Sequence, residues 1–122
     1  MLDHVAIPVR NLETSKNWYE AALAPLGMSL LRADQNVASF GIGAMPYLTL
    51  RACLQTPAPV HLAFSAAGRR QVDEFHAAAV GAGGRSNGEP GLRPDYHPNY
   101  YGAFVIDPDG HNIEVVRHAA DT

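Results

Sequence analysis

Residues 2–23 read LDHVAIPVRNLETSKNWYEAAL, and the stretch changes period halfway. Over Leu2–Val9 aliphatic and β-branched residues fill a run of strand length, with Val5, Ile7 and Val9 on one side and His4, Ala6 and Pro8 on the other. Asn11 then stands where a side-chain oxygen can cap an orphan backbone N–H of a helix. Leu12, Ser15, Trp18, Tyr19, Ala22, Leu23 and Leu26 follow at helical spacing, and Pro25 and Gly27 end the helix. Strand-like runs come next at Ser29–Arg32, Val37–Gly41 and Tyr47–Cys53, before the connector TPAP at 56–59.

The pattern then restarts. Val60–Ser65 (VHLAFS) reads as a strand, and Val72, Phe75, Ala79 and Ala82 mark the buried face of a second helix closed by Gly81, Gly83 and Gly84. The segment NGEPGLRP (87–94) is Gly/Pro-rich, and Tyr100–Ile106 and Ile113–Val116 read as strands joined by the turn DPDG (107–110). An offset of 57 residues takes His4 to His61, Trp18 to Phe75, Leu23 to Val80 and Gly27 to Gly84. The expectation is one α+β domain, 1–122, made of two βαβββ repeats, 1–56 and 57–122. Each repeat forms a cupped mixed sheet with its helix on the outer face. The inner face must be covered by the other half or by a second chain, so a homodimer is expected.

Composition narrows the role. The formal charge of −3 leaves no basic surplus for a nucleic-acid partner. No apolar run is long enough to cross a bilayer, and Met1–His4 has no secretory character. The lone Cys53 fits a reducing compartment, so the expected address is the cytoplasm.

Alternation also locates the chemistry. His4, His61 and Glu114 each lie opposite the bulky aliphatic residues of their strands, on the concave side. Two imidazoles and one carboxylate are a recognised ligand set for iron, manganese, nickel, cobalt or zinc, with positions left open for a small-molecule substrate. His4 and His61 occupy equivalent places in the two repeats, which an accident of packing would rarely reproduce. Tyr47, Thr49 and Arg51 share the concave face, and Arg51 is a candidate partner for a substrate carboxylate. The loop DYHPNYY (95–101) brings His97, Tyr100 and Tyr101 as candidate hydrogen-bonding groups for a chelated substrate.

LDHVAIPVRNLETSKNWYEAAL, VHLAFSA and AFVIDPDGHNIEVV together make the chain resemble the vicinal oxygen chelate superfamily, which contains lactoylglutathione lyase, fosfomycin-resistance transferases, extradiol dioxygenases and bleomycin-resistance proteins. The resemblance implies paired βαβββ units around one divalent metal held by His4, His61 and Glu114, often completed between two chains. In the lyase a further glutamate comes from the last strand of the first half. Here the repeat places Thr49 at that position, with Leu48 the rival, so lactoylglutathione lyase activity is not expected. The resemblance implies a metal-dependent lyase, dioxygenase or transferase. The alternative is a non-catalytic, drug-sequestering protein of the bleomycin-resistance type.

Other signals carry less. DPDGHNIE has its glycine too close to the first aspartate for a calcium loop, and GAGG lacks the ending of a phosphate loop. His76 and His118 read as solvated or packed, His111 as a turn residue, and Cys53 as a small hydrophobe.

Overall fold

The computed structural model describes residues 1–121. Strand β1 (Val5–Val9) leads into helix α1 (Leu12–Leu23), a 3₁₀ turn over Ala24–Leu26, and strands β2 (Ser29–Ala33), β3 (Val37–Ile42) and β4 (Met45–Ala52). Strand β5 (His61–Ser65), helix α2 (Arg69–Gly81) and strands β6 (Arg85–Leu92), β7 (Tyr101–Ile106) and β8 (Asn112–Arg117) repeat that order. The strands form two four-stranded mixed sheets, ordered β1-β4-β3-β2 and β5-β8-β7-β6. In each sheet the first and last strands of the unit pair in parallel at one edge, and the other pairings are antiparallel.

Period and burial agree. Ile7 and Val9 are buried while Ala6 is exposed, and on β4 Leu48 and Leu50 are buried while Tyr47 and Arg51 are exposed. Helix α1 starts with the Asn11 side chain accepting from Thr14 N at 3.1 Å. It buries Ser15, Trp18, Tyr19, Ala22 and Leu23. Helix α2 buries Val72, Phe75 and Ala79. Ala82, expected on that face, is instead the exposed C-cap, because the helix ends one residue earlier. α1 lies on β2, β3 and β4, α2 lies on β6, β7 and β8, and the helices also touch one another, so one apolar cluster serves both sheets.

Residues 87–92 of the Gly/Pro-rich stretch NGEPGLRP, which showed no strand pattern in the sequence, belong to strand β6, and Arg93 and Pro94 follow it. Its breakers are tolerated because β6 is an edge strand. Pairing with β7 skips register on both sides of Gly88, which sits at φ +156°. Pro90 therefore needs no ladder partner on the open edge.

The two units are locked by the turn after β7. Asp107 N donates to His111 O (2.9 Å), Gly110 N to Asp107 O (3.1 Å), and Gly110 takes φ +92°. Asp107 Oδ1 accepts from Asp109 N and His111 N (2.9 and 2.8 Å), which rigidifies the loop. Its Oδ2 accepts from the buried Tyr19 hydroxyl at 2.5 Å. Asp109 accepts from Arg10 N (2.8 Å) and Ser15 Oγ (3.2 Å). The buried His111 ring accepts from Val60 N at Nδ1 (3.0 Å) and donates from Nε2 to Pro8 O (2.8 Å). Far from being a bare turn residue, His111 ties both units together. Trp18 Nε1 donates to Ala79 O (2.9 Å), joining the helices.

Burial, then the neighbouring Asp107, raises the Tyr19 phenol well above its ordinary pKa. We expect Tyr19→Phe, which keeps the ring but leaves Asp107 without that donor, to cost about 1–3 kcal/mol in urea unfolding at neutral pH. The folded pKa lies above the unfolded one, so wild type retains this stabilisation below about pH 10 and loses it as pH rises further. The variant should lose less stability over that alkaline range. Identical slopes would show that another group governs alkaline unfolding.

Candidate metal centre

Glu114 stands in the middle of β8, opposite Ala63 of β5 in the parallel register. The corresponding register in the first sheet sets Thr49 opposite Ala6. Since Ala6 and Ala63 are repeat equivalents, Thr49, not Leu48, is the counterpart of Glu114. Thr49 Oγ1 lies 2.9 Å from Ser39 Oγ, so the first sheet has a hydroxyl pair where the second has a carboxylate.

Glu114 is 1% exposed although it faces the sheet side opposite the helix. A buried carboxylate must be compensated by directed donors. One is His61, whose Nε2 lies 2.8 Å from Glu114 Oε1. The other is Tyr100, whose hydroxyl donates to Oε2. Gly102 leaves room for them, since a Cβ there would come within 3.2 Å of the Tyr100 ring. Burial, then the bond to Glu114, raises the Tyr100 phenol far above its usual range, so this hydroxyl remains a donor. Tyr96, His97 and His118 pack edge-on around Tyr100, with ring centroids 4.7, 5.4 and 5.2 Å away. His97 accepts from Asn99 N at Nδ1 (3.1 Å), and its Nε2 lies 2.9 Å from His118 Nδ1. His118, discounted in the sequence, thus braces the tyrosine.

The donor set fits a metal. Two ligand atoms each about 2.0–2.2 Å from an ion and at right angles around it lie roughly 3 Å apart. His61 Nε2 and Glu114 Oε1 are at about that separation. His4 is elsewhere. It precedes β1, its side chain is 66% exposed, and it lines a cleft of about 450 Å³ with Leu2, Tyr47 and Phe64. His61 lines a different cleft of about 360 Å³. One chain therefore brings His61 and Glu114 together, and leaves His4 apart. His4 Nδ1 lies 2.7 Å from Asp3 Oδ1, an arrangement that leaves Nε2 as the ring's available ligand atom.

The remaining candidates divide between the faces. Tyr47, Thr49 and Arg51 lie on the open face of the first sheet, with Arg51 beside Ala6 and Cys53 in a third cleft. His97 touches Tyr100 rather than Glu114. Tyr101 points the other way: its hydroxyl reaches Asp73 of α2 at 2.6 Å, under the Arg69 guanidinium. Alternation along β7 explains this, because adjacent residues take opposite faces. Sequence reading missed Asn87, Arg93, Phe104 and Asn112, which line the cleft with His61. Phe104 was accessible to the same alternation, two residues from Gly102, whereas Arg93 was hidden in a Gly/Pro-rich stretch without strand period.

A second acidic group needs separating from this one. Ligand atoms of Asp107, Asp109 and His111 lie within 4.8 Å of one another. Each side-chain atom of that set already has a partner from the protein's own backbone, Ser15 or Tyr19. The cluster is the interlock between units, and an ion there would have to break it.

Comparison with known proteins follows the same lines. No curated protein matches the chain. Among solved structures, a glyoxalase/bleomycin resistance protein from Albidiferax ferrireducens is 31% identical, with a TM-score of 0.82 over 98% of this chain and 99% of that one. A glyoxalase/bleomycin resistance protein/dioxygenase family enzyme from Burkholderia phytofirmans shares the fold at 18% identity, TM-score 0.74, covering 96% and 98%. A glyoxalase-related enzyme from Fulvimarina pelagi does so at 17% identity, TM-score 0.73, covering 96% and 87%. The profile of the Glyoxalase/Bleomycin resistance protein/Dioxygenase superfamily matches residues 1–115, and the chain belongs to that superfamily.

Proposed function

We propose that this protein is a metal-dependent enzyme in which His61 and Glu114 of one copy and His4 of a second hold one divalent ion. The observation that carries the reading is the buried carboxylate of Glu114 facing His61 Nε2 at 2.8 Å across adjoining strands. A carboxylate kept 1% exposed beside an imidazole is costly for a structural role that a serine or glutamine could fill. His4 supports the cross-chain arrangement, because Asp3 orients its ring while leaving it exposed. The cleft beside it is walled by Leu2, Ile42 and Tyr47, which are 76%, 50% and 39% exposed and would be covered by a second copy.

The chemistry supplied by a bound ion is Lewis-acid stabilisation of a developing oxyanion on a substrate chelated through two neighbouring oxygens, or activation of a co-substrate. The chain's own groups prepare for it. Glu114 provides a carboxylate that is itself buried, beside a His61 ring open to the cleft. Tyr100 pins its second oxygen, so the first stays turned toward His61. The Phe104 ring, 6.0 Å from that of His61, gives the cleft an apolar wall.

We expect one divalent ion per chain by elemental analysis after equilibration with limiting metal, and none in His61→Ala, Glu114→Ala or His4→Ala. Mixing His4→Ala with His61→Ala and refolding them together should restore part of the capacity, because one shared site in the mixed dimer keeps all three ligands. No recovery on mixing would place the site within one chain. Wild type that stays empty under all loading conditions would leave a non-catalytic, ligand-sequestering protein as the function.

Tyr100→Phe should still bind the ion, about 10–100-fold more weakly, as is typical when a group that orients a ligand is lost. Unchanged affinity would remove Tyr100 from the site.

Sedimentation at micromolar concentration should give a dimer with roughly 1,000 Å² or more buried. Nickel- or zinc-loaded protein should turn over the methylglyoxal–glutathione hemithioacetal poorly, because Thr49 brings no charge where Glu114 has its counterpart. Turnover at ordinary enzyme rates would show that the carboxylate is dispensable.

A further inference from the structure

Arg93 is placed as a residue that receives something. Its Nη1 and Nη2 donate to the carbonyls of Gly91 (2.9 Å) and Glu89 (2.7 Å), and its guanidinium lies over the Phe104 ring, 5.5 Å from the centroid. These contacts hold the group in one orientation while using only two of the five N–H donors of a guanidinium. No carboxylate lies within ion-pair distance of it among the described residues. The side chain is half-buried and lines the same cleft as His61, with Asn87, Tyr96 and Asn112. Room for it is made by Gly88, where a Cβ would stand 2.9 Å from Phe104 Cδ1 and 3.1 Å from Arg93 Nη2. The bulge of β6 that breaks pairing at Gly88 is thus the seat of a fixed, unpaired cation.

A guanidinium held over an aromatic ring and left without a counter-ion suits an oxyanion that can take two parallel N–H bonds. We infer that Arg93 is the anion-holding residue of this cleft. The molecule bound beside His61 and Glu114 therefore carries a carboxylate or phosphate-type group besides the oxygens it offers the ion. The second part of this inference rests on the metal reading above; the anion site itself does not.

Metal-free protein allows the two to be separated. Acetate and methylphosphonate are the probes, titrated into ¹⁵N-labelled wild type, Arg93→Gln, Arg93→Lys and, as a control on the exposed face of α2, Arg70→Gln. In wild type and Arg70→Gln a probe should shift the Arg93 Nε–H resonance together with the amides of Asn87 and Gly88. Arg93→Gln should bind about tenfold or more weakly, and Arg93→Lys should fall between, since it keeps the charge without the fork. The spectra of the variants also report whether they fold, and the lysine variant preserves the test if the glutamine variant does not. The stronger of the two probes identifies the anion class. Equal affinity in wild type and Arg93→Gln, or shifts spread evenly over the surface arginines, would overturn the inference. Divalent metal titrated into the same samples is scored separately. Metal binding without anion binding sinks only the anion site, and anion binding without metal sinks only the metal centre.

Discussion

The turn Asp107–His111 governs how this molecule is put together. Its residues belong to the second unit, yet their side chains bond to Pro8, Arg10, Ser15 and Tyr19 of the first. A hydrogen bond is directional and weakens steeply with misalignment, so several of them around one loop fix an orientation that apolar contact would leave free to slide. His111 is the most demanding member. One ring nitrogen accepts from Val60 and the other donates to Pro8, so a single tautomer serves both units at once. The shared core beneath the helices follows from that docking, and so does the separation of the His4 cleft from the His61 cleft.

Two buried carboxylates illustrate opposite uses of one kind of group. Asp107 is surrounded by donors from its own loop and by Tyr19, with no free direction left. Glu114 is buried too, but its partners are His61 and Tyr100 on the open face of the second sheet. Burial raises both tyrosine partners in pKa, so each hydroxyl remains a donor. What separates the two pairs is place: Asp107 sits in the turn between the units, whereas Glu114 stands on the face of the second sheet opposite its helix.

Much of this could be read along the chain because side-chain direction in a strand and a helix is a local property. Alternation put Val5, Ile7 and Val9 inward and assigned Thr49 to the open face, and helical spacing picked out Trp18, Tyr19 and Leu23. Reading failed where a local signal was overridden. Gly88 and Pro90 argue for a loop, and only an edge position next to a paired β7 makes a strand there acceptable. Arg93 was lost with that stretch. Tyr101 was grouped with Tyr100 by proximity in sequence, although the pleat sends adjacent residues to opposite faces.

The sequence by itself determined the two repeated units and the face taken by the side chains of β1, β4, β5 and β8, and it narrowed the counterpart of Glu114 to Thr49 or Leu48. Those follow from backbone periodicity and from an offset visible without any contact. Only the tertiary structure decided which of those faces meet. It brings Glu114 against His61 and Tyr100, leaves His4 outward in another cleft, and seats Arg93 over Phe104. The physical reason is range. Facing is set by neighbours two to four residues away, whereas docking rests on bonds such as Pro8 to His111, between positions 103 residues apart.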